Sequence, residues 1–474
     1  MSSIYFLGIG GTAMASVAVA LSRLGHAVSG SDTALYPPMS TYLDTHNIRY
    51  FKGFSEDNIH AALPDLIVVG NAVSRGNCEL EYALDNHLEL ISMPELVRKE
   101  LITGNTSLVV TGTHGKTTTT SLLAWLLDFG GLNPGFLVGG IPENFSIGCR
   151  ASGQKEHGFF VTEGDEYDTA FFDKRSKFML YRPDIAIVNN MEFDHADIFD
   201  SFEDIRKSFR QFVNIIPRTG VLIVNGDDPA ACEVASRALC SVERFGFSDG
   251  CDWSARNISV TGGMTTFIIC RNGNPQETLS VPLAGRHNIM NTLAAVATAS
   301  RCGLHMENIA HALRLFKRPK RRMEITEGLR AGITLIEDFA HHPTAIKATL
   351  EAIAELYPGR RIIACFEPRS NTTAQNIFQN ELAASFGPAA AVIIGKAHRP
   401  ERYAPDRQLD MKRLGEELTK QDKTVFLAGT ANTAYPADII EFLETIVREN
   451  DVAVLMSNGS FSNLKSLFLD KFGK

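Results

Sequence analysis

The chain has 474 residues, 44% hydrophobic and 21% charged, which is material for about three domains that each bury a core. Its formal net charge of −8 argues against nonspecific nucleic-acid binding and leaves room for an anionic small substrate in a local basic pocket. The eight cysteines, at 78, 149, 232, 240, 251, 270, 302 and 365, form no CxxC pair and read as free thiols in a reducing cytosol, with no zinc site.

The first 22 residues carry no charged side chain, but no Lys or Arg precedes the apolar run and glycines interrupt it at 8, 10 and 11. A buried strand and helix are therefore expected, not an export signal. No apolar run approaches the roughly 18 residues of a membrane span.

Ile4–Leu7 reads as a strand, Gly8-Ile9-Gly10-Gly11-Thr12-Ala13 as a tight turn, and Ala15–Leu24 as a helix. The next strand, from Ala27, ends at Asp32. This is G-x-G-x-x-A after a strand with an acid placed to take a ribose hydroxyl, a dinucleotide-fold fingerprint. It serves NAD or another nucleotide diphosphate equally. A third strand, Leu66–Gly70, leads to Asn71-Ala72-Val73-Ser74, polar groups at a strand's carboxyl end, where ligands sit in open parallel sheets. Gly104-Asn105-Thr106 reads as a linker.

The apolar run Leu108–Val110 is a strand that enters Thr111-Gly112-Thr113-His114-Gly115-Lys116-Thr117-Thr118 and then a helix through Ser121–Leu127. A glycine turn between strand and helix aims backbone N–H groups and the positive helix end at one spot, which suits phosphate. Lys116 then reaches the β- and γ-phosphates, and the Thr117 hydroxyl holds magnesium. Val110 stands where the usual phosphate loop has its first glycine.

Two further strands end in ligating groups. Gly158–Thr162 ends at Glu163, and Ile185–Val188 runs into Asn189-Asn190-Met191-Glu192-Phe193-Asp194-His195. Glu163 and His195 are thus candidates to complete a magnesium shell. Residues 253–282 alternate around Gly262-Gly263 and Asn272-Gly273, which predicts hairpins. Gly285-Arg286-His287-Asn288 opens a long Ala-rich helix, and its polar start serves either as a cap or as a contact to base or phosphate. The basic run Lys317–Arg322 marks a second boundary and reads as a solvated linker. Beyond it, Leu335–Phe339, Ile362–Phe366, Ala391–Ile394, Thr424–Leu427 and Val452–Met456 alternate with helical stretches, predicting a third parallel α/β domain.

Taken together these motifs resemble the Mur ligases, ATP-dependent amide-bond synthetases of bacterial cell-wall assembly. The family's TGTxGKT loop corresponds to residues 111–117, E-A-D-E-x-D to 163–168, N-x-E-x-D-H to 190–195, G-R-H-N-x-x-N to 285–291, R-R-x-E to 321–324 and D-x-x-H-x-P to 338–343. Gly164 replaces the family's alanine, and Ser457-Asn458-Gly459-Ser460-Phe461 only approximates its S-N-G-G-F. Within the family the stretches 163–178 and 366–372 are similar to the branch that attaches a preformed peptide. The branch that attaches L-alanine to UDP-N-acetylmuramate, the runner-up, carries D-Y-G-H-H-P and F-Q-P-H-R-Y-T-R where this chain has 338–343 and 366 onward.

The resemblance implies an α/β fold of three domains: a Rossmann-like UDP-sugar-binding domain (1–106), a central phosphate-loop ATPase domain (107–317) and a Rossmann-like C-terminal domain that receives the amine (318–474). It implies ATP contacts from Gly112, Thr113, His114, Gly115, Lys116, Thr117, Thr118, His287, Asn288, Arg322 and Asp338. UDP-sugar contacts would come from Gly8, Gly10, Gly11, Asp32, Asn71, Ala72 and Ser74, and peptide contacts from Arg369 and Asn371. Magnesium would rest on Thr117, Glu163 and His195. Lys116, Glu163 and His195 would serve catalysis, with His341 a candidate to take the amine proton. Several members use a carbamylated lysine, for which Lys207 is near but in doubtful register. The implied partners are UDP-N-acetylmuramate, ATP and the murein tripeptide L-alanyl-γ-D-glutamyl-meso-diaminopimelate, in a cytoplasmic enzyme, monomeric or weakly oligomeric, with no nucleic acid and no membrane insertion. An NAD-dependent oxidoreductase would leave the phosphate loop, Glu163 and His195 without a task. A nonenzymatic nucleotide sensor would have no need of the metal residues.

Overall fold

The computed structural model describes residues 1–33, 35, 39–154, 157–429 and 435–473. Five strands, β1 (Ser3–Leu7), β2 (Ala27–Asp32), β3 (Arg49–Lys52), β4 (Leu66–Val69) and β5 (Leu90–Ser92), form one parallel sheet in the order β3-β2-β1-β4-β5. The order reverses between β1 and β4, so the turn after β1 and the Asn71–Ser74 segment after β4 flank one crevice. The helix after β1 begins at Thr12, three residues earlier than the apolar pattern suggests, because Gly11 caps it in extended backbone.

The second sheet has ten strands. They are β6 (Thr106–Thr111), β7 (Gly135–Leu137), β8 (Cys149–Arg150), β9 (Phe159–Glu163), and, after the small hairpin β10 (Asp168–Ala170) and β11 (Asp173–Ser176), β12 (Ile185–Val188), β13 (Val221–Asn225), β14 (Ser241–Gly246), β15 (Trp253–Thr261), β16 (Met264–Arg271) and β17 (Asn274–Val281). The order is β17-β16-β15-β14-β13-β12-β6-β9-β7-β8. The hairpins expected over 253–282 are present and extend this sheet. At its centre β12, β6 and β9 run parallel, and their carboxyl ends lie side by side.

The third sheet, β18 (Glu324–Thr326), β19 (Thr334–Asp338), β20 (Ile362–Phe366), β21 (Ala391–Ile394), β22 (Thr424–Leu427) and β23 (Val452–Met456), is ordered β18-β19-β23-β20-β21-β22. It is parallel apart from β18 and carries an apolar cluster on each face. One continuous core runs from the first sheet into the second, joining Ile4, Phe6 and Val17 to Val109, Leu123 and Ile187. Among the described residues no helix is long and apolar enough to cross a membrane.

The basic run at 317–322 is only partly solvated: Lys317 and Lys320 are exposed, but its arginines are not. Arg318 donates to the carbonyls of Pro282 (2.6 Å) and Met323 (3.0 Å), and Arg322 donates to the Thr117 hydroxyl at 3.0 Å. These cations hold the third domain against the second, a role that composition alone does not distinguish from surface charge.

Candidate active site

Strand β6 delivers Thr111 to a loop that only glycine permits at two places. Gly112 has φ +131° and Gly115 φ +84°, and a Cβ on Gly115 would run into the Asn291 amide. The helix Lys116–Phe129 then starts with its free N–H groups facing the loop. Thr119 and Asn189 fix the loop from behind: Asn189 Nδ2 donates to Thr119 Oγ1 (3.0 Å), which in turn donates to Asn291 (3.1 Å). The His114 N–H is held by the Asn190 side chain at 2.7 Å.

Glu163 ends β9 beside this loop. One carboxylate oxygen accepts the Gly139 N–H (2.6 Å) and the other the Thr117 hydroxyl (3.2 Å). Burial pushes the Glu163 carboxyl above its usual range, against the Gly139 N–H and the charges of Arg322 and Lys116. A buried carboxylate still destabilised beside two cations favours a further cation there, and hydroxyl plus carboxylate oxygens suit magnesium. Arg322, whose own pKa burial lowers, lies with its guanidinium 4.5 Å from the Phe339 ring centroid and covers Thr117.

His195 follows β12 with φ +58°. Its Nε2 lies 3.1 Å from Glu166, and the same carboxylate takes Lys116 Nζ at 2.9 Å. Burial presses His195 toward neutrality, but Glu166 and Asp194 outweigh it and raise its pKa. Burial likewise opposes the Lys116 charge, and Glu166, Asp165 and Glu163 more than restore it. Asp165, Glu166 and His195 offer ligand atoms within 4.8 Å of one another. Of these only His195 stands out from the sequence by residue type; Asp165 and Glu166 had been visible only as part of a motif. Lys177 pairs with Asp165 at 2.9 Å and lines the cavity, whereas Lys207 is exposed on the helix Phe202–Asn214.

His287 and Asn288 both line the cavity, and no side chain caps this helix start. His287 is half-buried, and loss of solvent with the neighbouring His114 pushes it down to about 4. Asn288 donates to the Ala284 carbonyl (2.8 Å) and accepts from Asn291 (3.1 Å). Asp338 also lines the cavity and accepts the N–H groups of Met323 (2.7 Å) and Ala340 (2.8 Å). His341 Nδ1 lies 3.0 Å from the Phe339 carbonyl, which can only accept, so Nδ1 carries a proton. Its Nε2 lies 3.7 Å from Asp194.

Arg369 and Asn371, just past β20, line the same cavity of about 710 Å³ as Lys116, Glu163 and His195. Arg369 lies 3.6 Å from Glu367 and rests on Gly459, where any Cβ would meet its guanidinium. Asn371 accepts from Tyr403 at 2.9 Å. Asn458, seen in the sequence only as part of the S-N-G-G-F-like stretch and given no role there, also lines the cavity and keeps a buried Oδ1 without a partner among the described residues.

The glycine turn of the first domain borders this cavity at Ala13, while Gly8, Gly10 and Gly11 are not among its lining residues. Gly8 has φ +85°, and Asp32 accepts the Gly10 N–H at 2.9 Å, so one of its oxygens braces the turn. Gly11 caps the following helix, and Asn71, Ala72 and Ser74 are exposed at the facing strand end. Asn71 reaches Asp168 of the second domain at 3.1 Å.

Comparison with known proteins finds three family segments along the chain. Residues 3–102 match the sequence model described as Mur ligase family, catalytic domain; 110–299 match Mur ligase middle domain; and 321–459 match Mur ligase, glutamate ligase domain. The chain is 37% identical, over 99% of both lengths, to the UDP-N-acetylmuramate–L-alanyl-γ-D-glutamyl-meso-2,6-diaminoheptandioate ligase of Haemophilus influenzae. It is 32% identical, over 99% of its own length and 97% of the relative's, to the UDP-N-acetylmuramate–L-alanine ligase of Clostridium acetobutylicum. Among solved structures it is similar to a murein peptide ligase from Psychrobacter arcticus, with TM-score 0.74 and 35% identity over 99% of this chain and 98% of that one.

Proposed function

This chain belongs to the Mur ligase family, and from that premise we propose that it joins UDP-N-acetylmuramate to L-alanyl-γ-D-glutamyl-meso-diaminopimelate, with ATP converted to ADP and phosphate. The observation that carries the reading is the single cavity of about 710 Å³ that runs from Lys116 and Glu163 to Arg369 and Asn371. A phosphate-binding loop and a carboxylate-gripping arginine thus face one volume, where an activated acid and an amine can meet.

The reaction is an acyl transfer in two steps. A carboxylate oxygen of UDP-N-acetylmuramate bonds to the γ-phosphorus of ATP, and ADP leaves. The peptide's amino nitrogen then bonds to the acyl carbon, loses a proton and expels phosphate. Phosphoryl transfer of this kind depends on positioning and charge neutralisation more than on covalent help. Lys116 supplies a cation at the loop, bonded to Glu166 and the Gly112 carbonyl, and entering phosphate oxygens would replace these partners. Thr117 and Glu163 would hold one magnesium ion and His195 with Glu166 and Asp165 a second; bound there, magnesium supplies further neutralisation of phosphate charge. Arg322 brings a guanidinium from the third domain to the same hydroxyl. His341, whose Nε2 faces Asp194 at 3.7 Å, is the candidate to accept the amine proton. The glycine turn and the Asn71–Ser74 strand end would hold the uridine diphosphate. A reaction consuming ATP and a UDP-sugar belongs in the bacterial cytoplasm, in peptidoglycan recycling.

The test is phosphate release from ATP with each substrate omitted in turn. Release that requires both UDP-N-acetylmuramate and the tripeptide supports the reading. Faster turnover with L-alanine would place the chain with the alanine ligases, and release independent of either would remove it from the ligases.

A further inference from the structure

His342 caps the helix Pro343–Leu356 at the face between the second and third domains. Its two ring nitrogens have fixed roles. Nε2 lies 3.2 Å from the Phe193 carbonyl, which can only accept, and Nδ1 takes the Thr344 N–H at 3.3 Å, which can only donate. The proton is therefore on Nε2, and Nδ1 carries a lone pair. Yet Nδ1 also lies 3.3 Å from Glu192 Oε2, an ionised carboxylate oxygen. Two acceptors face each other with no proton between them. The His114 Nε2 lies 3.3 Å from the same oxygen, and the two imidazole rings are 4.8 Å apart.

We propose that His114, Glu192 and His342 form a binding site for a borderline transition-metal cation of the zinc class, separate from the magnesium positions and bridging the phosphate loop to the third domain. Four arguments carry it. First, the donor set is two imidazoles and a carboxylate, the mixture such ions prefer and magnesium does not. Second, the spacing fits: bonds of about 2.0–2.2 Å in a tetrahedral site set neighbouring donors about 3.3–3.6 Å apart, and both contacts to Glu192 are 3.3 Å. The three donors lie within 4.8 Å of one another. Third, Phe193 holds the Nε2 proton of His342, the outer-sphere carbonyl contact that orients metal-bound histidines. Fourth, a cavity of about 310 Å³, lined by Glu192 and His342 and also by Glu381, opens beside the site and leaves a path and a water position.

The protonation states favour an ion as well. Burial would raise the Glu192 carboxyl, but the two imidazoles and Thr344 hold it at about 2. Burial and the neighbouring His114 push His342 down to about 4, so at neutral pH it is uncharged. A cation would lengthen the Thr344 contact and replace the contact between His114 Nε2 and Glu192. The cysteine pattern gave no hint of such a site, because its donors come from three segments far apart in the chain.

The test uses the full-length protein in millimolar magnesium, titrated with Co²⁺ as a visible reporter and then with Zn²⁺. One equivalent of Co²⁺ should give the absorption of a nitrogen-containing site, displaced by Zn²⁺ and not by Mg²⁺. His342→Gln and Glu192→Gln should each weaken Co²⁺ binding by at least about tenfold, while His195→Ala leaves the spectrum unchanged. Should His342→Gln fail to fold, Glu192→Gln gives the same reading. Absence of Co²⁺ binding in excess magnesium overturns the proposal. So does a spectrum lost in His195→Ala and retained in the Glu192 and His342 variants.

Discussion

Lys116 and His195 are held by the two oxygens of one buried carboxylate: Glu166 Oε2 lies 2.9 Å from Lys116 Nζ and Glu166 Oε1 lies 3.1 Å from His195 Nε2. The cation of the phosphate loop and the imidazole past β12 therefore share a counter-charge and cannot be set independently.

Lys116→Ala should cut turnover by about 10²–10³, the scale of losing one preorganised charge donor. Glu166→Gln should also slow turnover, because the amide keeps one acceptor oxygen, turns an N–H donor toward the other neighbour and no longer balances their charge. Steady-state rates at saturating ATP test the pair. Normal turnover in Lys116→Ala would take this lysine out of the phosphate site.

His195→Ala should leave ATP binding largely intact, slow acyl-phosphate formation and raise the magnesium concentration needed for half-maximal rate. The motive is its place within 4.8 Å of the Asp165 and Glu166 oxygens. A magnesium titration with a single-turnover measurement separates this from a packing role, which would alter neither.

The first domain should bind the UDP-sugar and not NAD. The fingerprint does not decide between them, but Asp32 already spends one oxygen on the Gly10 N–H. A Cβ on Gly10 would sit 2.9 Å from that oxygen. Gly10→Ala should thus raise KM for UDP-N-acetylmuramate several-fold and leave KM for ATP unchanged. Calorimetry that found tight NAD binding and no UDP-sugar binding would reverse the assignment.

Acid should loosen the protein through His287. Its folded pKa of about 4 lies below the 6.5 of an ordinary histidine. A depressed pKa means the unfolded chain binds the proton first. The stability of the neutral imidazole is complete above pH 6.5 and is lost as pH falls toward 4. His287→Gln should therefore lose less Tm than the parent between pH 7 and pH 4.5. Parallel melting curves with identical pH slopes would show that His287 is not what titrates.

The features readable from sequence are those a single strand and its following turn determine. Thr111–Thr118, Glu163 and His195 are legible because parallel strands end together and the loop needs glycine at 112 and 115. The strands Arg49–Lys52 and Leu90–Ser92 were missed; they have four and three residues, too few to show a period. Long-range pairings were also illegible. Arg322 meets Thr117 across 205 positions, and nothing in Lys317–Arg322 distinguishes a buried guanidinium from a solvated one. Glu166 stood inside a recognised motif, but its double contact depends on β6, β9 and β12 being neighbours.

The acceptor site gives the most demanding prediction. The tripeptide carries several carboxylates and L-alanine one, so a peptide site needs cationic and amide donors beyond the reach of a small amino acid. Arg369 offers a planar guanidinium able to grip a carboxylate with two hydrogen bonds. It lines the cavity beside Asn371, and its own pairing with Glu367, at 3.6 Å, is too long for a hydrogen bond. Its direction is set by Gly459, since any larger residue would push into the guanidinium. Arg369→Ala should raise the tripeptide KM by about tenfold or more, the scale of one charge-assisted bidentate contact, and move KM for ATP little. Gly459→Ala should reproduce part of that increase without touching a charge, because it displaces the guanidinium. The decisive measurement is initial rate against tripeptide concentration for the parent and both variants, with L-alanine as a second acceptor. A tripeptide KM unchanged in Arg369→Ala would leave the ligase reaction standing and remove Arg369 from the acceptor site. An increase in Arg369→Ala without one in Gly459→Ala would keep the charge but discard Gly459 as its support.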